Sequence, residues 1–341
     1  MRILLILLMI INIGWAETLK KEKINLPEDL YFIDKYNVQW WYFTGHLWDE
    51  KENEYGFELT FFIIKLNDKK FRSNFGVNHI YISHFAVTDV SNERFLFSDK
   101  ADRGAFNFAG ADKDHLYVWV GNNNLSGSLE KMRIKGIDNK KEIDLSLVPE
   151  KPYVFHGKNG YSKKSDDPEF GYSYYFSNTR MKTEGFLKIK DKKFKVKGYS
   201  WFDRELFPKY KPTIDKGWDW FAIQLDNNTE IMLFQIREKD KILKQFSSGT
   251  FIYKNGKYRA LKPEDFQINV LDDYRSTKTG AKYPSKWNIK IPSEHIDIII
   301  VPVLKDQEIT AYYTTGNYYW EGSCKVKGSH TGRAYVEMTG Y

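Results

Sequence analysis

Gly198-Tyr199-Ser200-Trp201-Phe202-Asp203-Arg204-Glu205-Leu206-Phe207, a Lys/Pro linker, and then Gly217-Trp218-Asp219-Trp220-Phe221-Ala222-Ile223-Gln224-Leu225 read as two strands meeting at a joint, and they carry three of the chain's ten tryptophans. In extended backbone, successive side chains alternate between faces, so Trp201 and Asp203 share one face while Trp218 and Trp220 point opposite to Asp219. A carboxylate pressed against aromatic rings loses hydration, and its pKa climbs toward that of a usable acid. The competing reading of Asp203 is an ion pair with an arginine that merely holds the joint, since structural pairs also perturb carboxylates.

Working outward, the same habit recurs on both sides. Gln39 to His46 reads as a strand, and Tyr55 to Phe62 as another with Tyr55, Phe57, Leu59 and Phe61 on one face and Glu58 and Thr60 on the other. The polar link from Asp49 to Asn53 makes these two a hairpin. Further short strands are expected at His79–Thr88, Leu116–Val120, Leu125–Ile134, Ile143–Val148, Tyr172–Met181, Phe186–Ile189 and Phe194–Tyr199. Past the joint they continue at Ile231–Arg237, Thr250–Tyr253, Trp287–Ile291, Ile296–Val303, Tyr318–Val326 and Arg333–Met338, with Asn255-Gly256 a strong hairpin turn. No long amphipathic helix is found, although Pro27-Glu28-Asp29 suits one helical turn. Many short, closely spaced strands make the chain all-β, a pair of sandwiches or barrels joined near Lys209 to Lys216.

Of the 341 residues, 17% are aromatic, a composition that favours pleated, half-buried surfaces. Residues 1–16 combine a basic start at Arg2, an apolar run from Ile3 to Ile13 and small Gly14 and Ala16 before Glu17, the pattern of a secretory signal peptide. The run is too short for a spanning helix. The protein is therefore expected to be exported to the periplasm or the extracellular space, with residues 17–37 as a leader ahead of the first barrel. The lone cysteine, Cys324, excludes an internal disulfide, and its alternation with Lys325 and Lys327 points it inward. The formal charge of +7 comes from lysines scattered singly along strand faces, as in Leu187-Lys188-Ile189-Lys190, which argues against nucleic acid as a partner. Weak attraction to an anionic membrane surface stays open.

Several chemistries lack their motifs. Gly160-Tyr161-Ser162, Gly171-Tyr172-Ser173 and Gly198-Tyr199-Ser200 all miss the second glycine of a nucleophile elbow. There is no phosphate loop, dinucleotide fingerprint or His-Glu-x-x-His, and His46, His79, His84, His115, His156, His295 and His330 show no ligand spacing. No cofactor and no metal are expected.

The runs Gln39–Leu47, Glu58–Phe62, His84–Asp89, Arg103-Gly104-Ala105, His156-Gly157, Gly160-Tyr161-Ser162, Gly217–Trp220, Tyr283-Pro284, Asp306-Gln307-Glu308 and Tyr319–Gly322 resemble the AttH-like proteins of the carotenoid 1,2-hydratase superfamily. The resemblance spans nearly all of the chain beyond residue 16. It implies two lipocalin-like antiparallel β-barrels side by side, a hydratase-type domain over 38–208 and a partner over 209–341. It also implies cofactor-free hydration of an isolated double bond: an acid protonates an alkene carbon, aromatic walls tolerate the cation, and water follows. The hydratases' Tyr-x-Asp pair resembles Trp201-Phe202-Asp203, casting Asp203 as proton donor. Their His-x-Trp pair falls at Tyr174-Tyr175-Phe176, so the companion residues differ from those of the hydratases.

The expected ligand wall is Trp201, Tyr174, Phe176, Trp41, Trp218 and Trp220, each of which has a plain core reading beside it. Glu58 is a candidate second acid, or else meets Arg103 or Arg180 in a structural pair. His46 and His84 are candidate proton relays, or else simply hydrogen-bonded. The functional expectation is an exported protein that binds an apolar, isoprenoid- or lipid-like molecule, with hydration or isomerisation at Asp203. The alternatives are a non-catalytic lipid carrier or chaperone of the cell envelope, and a secreted hydrolase of unknown substrate.

Overall fold

The computed structural model describes residues 23–69, 76–209, 216–239 and 241–341, so the expected signal peptide at 1–16 lies outside the described residues. Among them the chain forms two antiparallel barrel-like sheets, one nearly closed and one a half-barrel. In the first, Arg94–Asp102, His79–Asp89, Glu54–Lys65, Val38–Asp49, Lys192–Phe207, Tyr172–Ile189, Lys141–Pro149, Met132–Ile137, Asn123–Gly127, Leu116–Val120 and Ala109–Ala111 follow in spatial order. The second runs Tyr258–Leu261, Ser248–Ile252, Glu230–Glu238, Lys216–Leu225, Gly332–Thr339, Asn317–Gly328, Ile296–Pro302, Lys282–Ile291 and Gln267–Arg275.

Each sheet curls around its own core, built from the large apolar residues that alternate along its long strands. Phe43, Phe57, Leu59, Phe85, Phe176 and Phe202 fill the first, and Phe221, Leu233, Trp287, Ile298, Trp320 and Val336 the second. The described part of the leader, from Lys23 onward, packs against the core of the first barrel. Its Pro27 precedes a single 3-10 turn, Glu28–Leu30, and Leu30, Phe32 and Tyr36 join the barrel core. Cys324 is buried and unpaired.

The strand expectations need correction: Tyr172–Met181 and Phe186–Ile189 are one strand, Tyr172–Ile189. Leu125–Ile134 is two strands, because Gly127 takes a left-handed φ of 131° and turns the chain. Arg94–Asp102 and Gln267–Arg275 were hidden by their polar, partly exposed compositions.

The sheets also use their outer faces. Val38–Asp49 and its neighbours are buried on both sides, which is unusual for antiparallel strands that normally keep one face in water. The reason is that the second sheet packs against the first through a further cluster of Tyr42, Tyr175, Trp201, Trp220, Ala222, Met232, Phe234 and Tyr335. Polar links stitch the seam: Thr88 donates to Gln307 at 2.8 Å, Gln224 donates to the Thr179 carbonyl at 2.8 Å, and Arg333 pairs with Glu54 at 2.6 Å.

Candidate active site between the two sheets

Register decides which side chains meet at the seam. Tyr42 lies opposite both Asp203 and Thr60, and Thr44 lies opposite both Trp201 and Glu58, so all six share the outer face of the first sheet. Ser177 lies opposite Asp203 on the other flank.

Asp203 is 4% exposed. Its Oδ2 accepts from the Tyr175 hydroxyl at 2.6 Å, and its Oδ1 accepts from the Trp201 indole at 2.6 Å and is bonded to the Ser177 hydroxyl. Trp220 donates to the Tyr175 oxygen at 3.0 Å, leaving that phenol's own proton for Asp203. Every one of these partners is neutral. Burial drives the Asp203 carboxyl up to about 7, against the pull of the Ser177, Tyr175 and Trp201 hydrogen bonds and with a smaller push from Glu205.

The Ser177 oxygen also meets His156 Nε2 at 2.7 Å, and His156 Nδ1 meets Thr250 of the second sheet at 2.8 Å. Burial, reinforced by Lys164, holds His156 down to about 3, so its ring is neutral. The chain of groups is reversible. With Asp203 ionised, Ser177 donates to it and accepts from Nε2; with a proton on Oδ1, Ser177 donates to Nε2 and the imidazole proton moves to Nδ1.

Other acids crowd the same seam. Glu321 accepts from Tyr42, Glu337 accepts from the Trp218 indole at 3.1 Å, and Glu205 accepts from Ser173 and pairs with Lys164 at 3.1 Å. Among the described residues, neither oxygen of Glu58 has a well-formed hydrogen bond. Burial pushes Glu58 up to about 8 against the pull of the Thr60 hydroxyl, Lys141 and the Ala86 N–H, with Glu337 adding to the shift, and Glu337 itself reaches about 8 through burial first and the charges of Asp203 and Glu205 after it. Among the described residues, the ion pair seen on these five carboxyls is Lys164 on Glu205. No group of His, Cys, Asp or Glu among the described residues has the arrangement to hold a metal ion.

The remaining expected residues fall into two sets. Trp201 and Trp220 line the Asp203 carboxyl, while Trp218 is partly exposed beside Glu337. His46 meets Ser323 at 3.2 Å, and His84 meets Tyr319 at 2.5 Å and Thr314 at 3.3 Å; burial holds both rings down to about 3. Trp41, Tyr174 and Phe176 lie on the opposite face, inside the first barrel. Trp41 donates to the Leu30 carbonyl at 2.8 Å under the Arg204 guanidinium, and Phe176 packs on Phe202. Of the arginines weighed for Glu58, Arg180 pairs with Glu230 instead, and Arg204, next to Asp203 in sequence, points away from it into the barrel. Asp219 pairs with Arg237 and accepts from Tyr341.

Sequence reasoning passed over Tyr175, Ser177, His156, Tyr42, Glu321 and Glu337. Alternation alone could have found Tyr175, since Tyr174 and Phe176 flank it on the barrel side. Pairing Ser177 with Asp203 needed the register, which shifts between Asn178 and Met181.

The family model described as AttH-like matches residues 17–341. The fold superposes on the crystal structure of an AttH protein from Nitrosomonas europaea with a TM-score of 0.85 and 26% identity, covering 96% of this chain and 99% of that one. Kievitone hydratase from Nectria haematococca superposes with a TM-score of 0.69 at 16% identity, over 93% of each chain. CghA follows with a TM-score of 0.55 at 10% identity, over 89% of this chain and 88% of that one. At these last two identities the likeness is one of fold. No protein of curated function matches the sequence.

Proposed function

The chain belongs to the AttH-like family, and on that footing we propose that it binds an apolar, isoprenoid- or lipid-like molecule between its two sheets and hydrates or isomerises an isolated double bond by acid catalysis at Asp203. One observation carries the reading: a carboxyl buried among Tyr42, Tyr175, Trp201 and Trp220, with neutral partners throughout and a pKa near 7. Such a group carries a proton in part of the population at neutral pH and returns to a stabilised carboxylate after giving it up. In the hydration, the Asp203 proton adds to one alkene carbon and leaves a cation on the other. The faces of the surrounding rings stabilise that charge. Water bonds to the cation and its surplus proton goes back to Asp203, so the net change is alkene plus water to alcohol. The fold shared with kievitone hydratase supports hydration as the reaction type.

A serine hydrolase is less well supported. Ser177 and His156 are bonded, but the carboxylate sits on the serine oxygen and not on the far imidazole nitrogen, and Ser177 is fully buried.

Asp203→Asn tests the proposal. Turnover of a validated substrate should fall by about 10²-fold or more, the scale of general acid catalysis, while affinity stays nearly unchanged. Unaltered turnover would remove the acid role. Saturable quenching of tryptophan fluorescence by a lipid extract, with no new product by mass spectrometry, would favour the carrier reading. The proposal also takes residues 1–16 as a cleaved export signal. N-terminal sequencing of protein from its own host should then begin at Glu17.

A further inference from the structure

Three residues at the seam hold four buried polar atoms that lack a well-formed hydrogen bond among the described residues: both carboxyl oxygens of Glu58, the Thr60 hydroxyl and the Tyr335 hydroxyl. Their exposures are 0%, 1% and 2%. The Thr60 hydroxyl and the Ala86 N–H reach toward Glu58, and Thr88 toward Tyr335, without closing a bond of ordinary geometry. Glu58 and Thr60 stand two residues apart on one strand and so share a face, and Tyr335 comes down from the second sheet into the field of Glu58 and Glu321. Their neighbours are already committed: Tyr42 to Glu321, Tyr319 to His84, Trp218 to Glu337. Native proteins satisfy nearly all buried polar groups, because each orphan keeps its full desolvation penalty. Three orphaned side chains in one place mark where a ligand's polar group belongs.

The donors and acceptors identify that group. With no ion pair on it among the described residues, and with burial and then Glu337 outweighing the pull of Lys141, Glu58 keeps its proton at neutral pH, offering one donor and one acceptor. Thr60 and Tyr335 each offer both as well. An ether or carbonyl only accepts and an ammonium only donates, whereas a hydroxyl does both. Strand geometry gives the separation. Asp203 and Glu58 lie two strands and two residues apart, roughly 12 Å between backbones.

We propose that Glu58, Thr60 and Tyr335 form a subsite for the hydroxyl group of an otherwise apolar alcohol, whose hydrocarbon body runs along the aromatic seam and presents a double bond to Asp203 roughly 10 Å away. This rests on the reading that the seam holds the ligand.

The full chain is titrated with farnesol, farnesyl methyl ether, farnesene and farnesylamine, following tryptophan fluorescence, since Trp201 and Trp220 border the seam. Farnesol should bind about tenfold more tightly than the ether or the hydrocarbon, the effect of one well-made hydrogen bond. Glu58→Leu should bind those three alike, and Asp203→Asn should keep the preference for the alcohol. Tyr335→Phe, which removes one hydroxyl and little volume, should reduce the preference and serves as the second variant if Glu58→Leu does not fold. Equal binding of alcohol, ether and hydrocarbon by the parent protein would overturn the subsite and leave the apolar seam standing. Tightest binding of farnesylamine would overturn it in favour of a cation site. No saturable binding of any of the four would overturn both readings.

Discussion

Asp203 and Arg204 are adjacent in sequence and have opposite fates. The carboxyl faces the seam with three neutral hydrogen-bond partners. The guanidinium lies inside the barrel 3.7 Å from the Trp41 ring centre, donating to the Tyr31 carbonyl at 2.7 Å and to Gln39 at 2.9 Å, and burial lowers it to about 9. Their proximity along the chain thus says nothing about pairing, because the pleat separates them. The Trp201 indole is the one partner of Asp203 that can only donate, so it favours the carboxylate. Trp201→Phe keeps most of the ring and removes that donor. The Asp203 pKa should then rise by up to about one unit, followed by carbon-detected NMR titration of the side-chain carboxyl.

At the scale of elements, close approach and buried ions hold the two sheets in register. Gly56 sits at a close approach between the sheets: a Cβ there would lie 2.8 Å from the Ser323 Cβ. Gly56→Ala should therefore push the sheets apart and lose about 1–3 kcal/mol in urea unfolding, the usual cost of overpacking. Glu230, on the second sheet, is fully buried between two cations, at 2.5 Å from Arg180 of the first sheet and 2.6 Å from Lys151 in the loop after Lys141–Pro149. Removing the shared anion leaves both cations buried without it. Glu230→Ala should cost about 3–5 kcal/mol in the same measurement.

Across the whole molecule, docking the sheets has made stability a function of pH with a definite shape. Asp203, at about 7, and Glu58 and Glu337, at about 8, keep protons that the unfolded chain sheds near pH 4, so stability falls as pH rises through that interval. His46, His84 and His156, held at about 3, work the other way: below about pH 6.5 the unfolded chain gains protons that the folded one refuses, and stability falls as pH drops. The two sets oppose each other between about pH 4 and 6.5, and above that only the carboxyls act. The melting temperature should decline between pH 6.5 and pH 8.5, and Glu58→Leu should flatten the decline, as read by circular dichroism.

The sequence by itself determined the all-β class, most strand positions, the inward Cys324 and the shared face of Trp201 and Asp203, because each follows from local alternation and turn chemistry. The AttH-like resemblance was likewise legible in its ordered aromatic runs. The tertiary structure alone decided that the polar outer face of the first sheet would be buried too. A strand's pattern separates its two faces without saying what covers either of them, so the sequence puts Glu58 and Thr60 on one face but leaves open what lies on that face until the second sheet docks there. The same docking brings Thr250 to His156, Glu321 to Tyr42 and Tyr335 toward Glu58 across 94, 279 and 277 residues of chain, separations that no local rule spans.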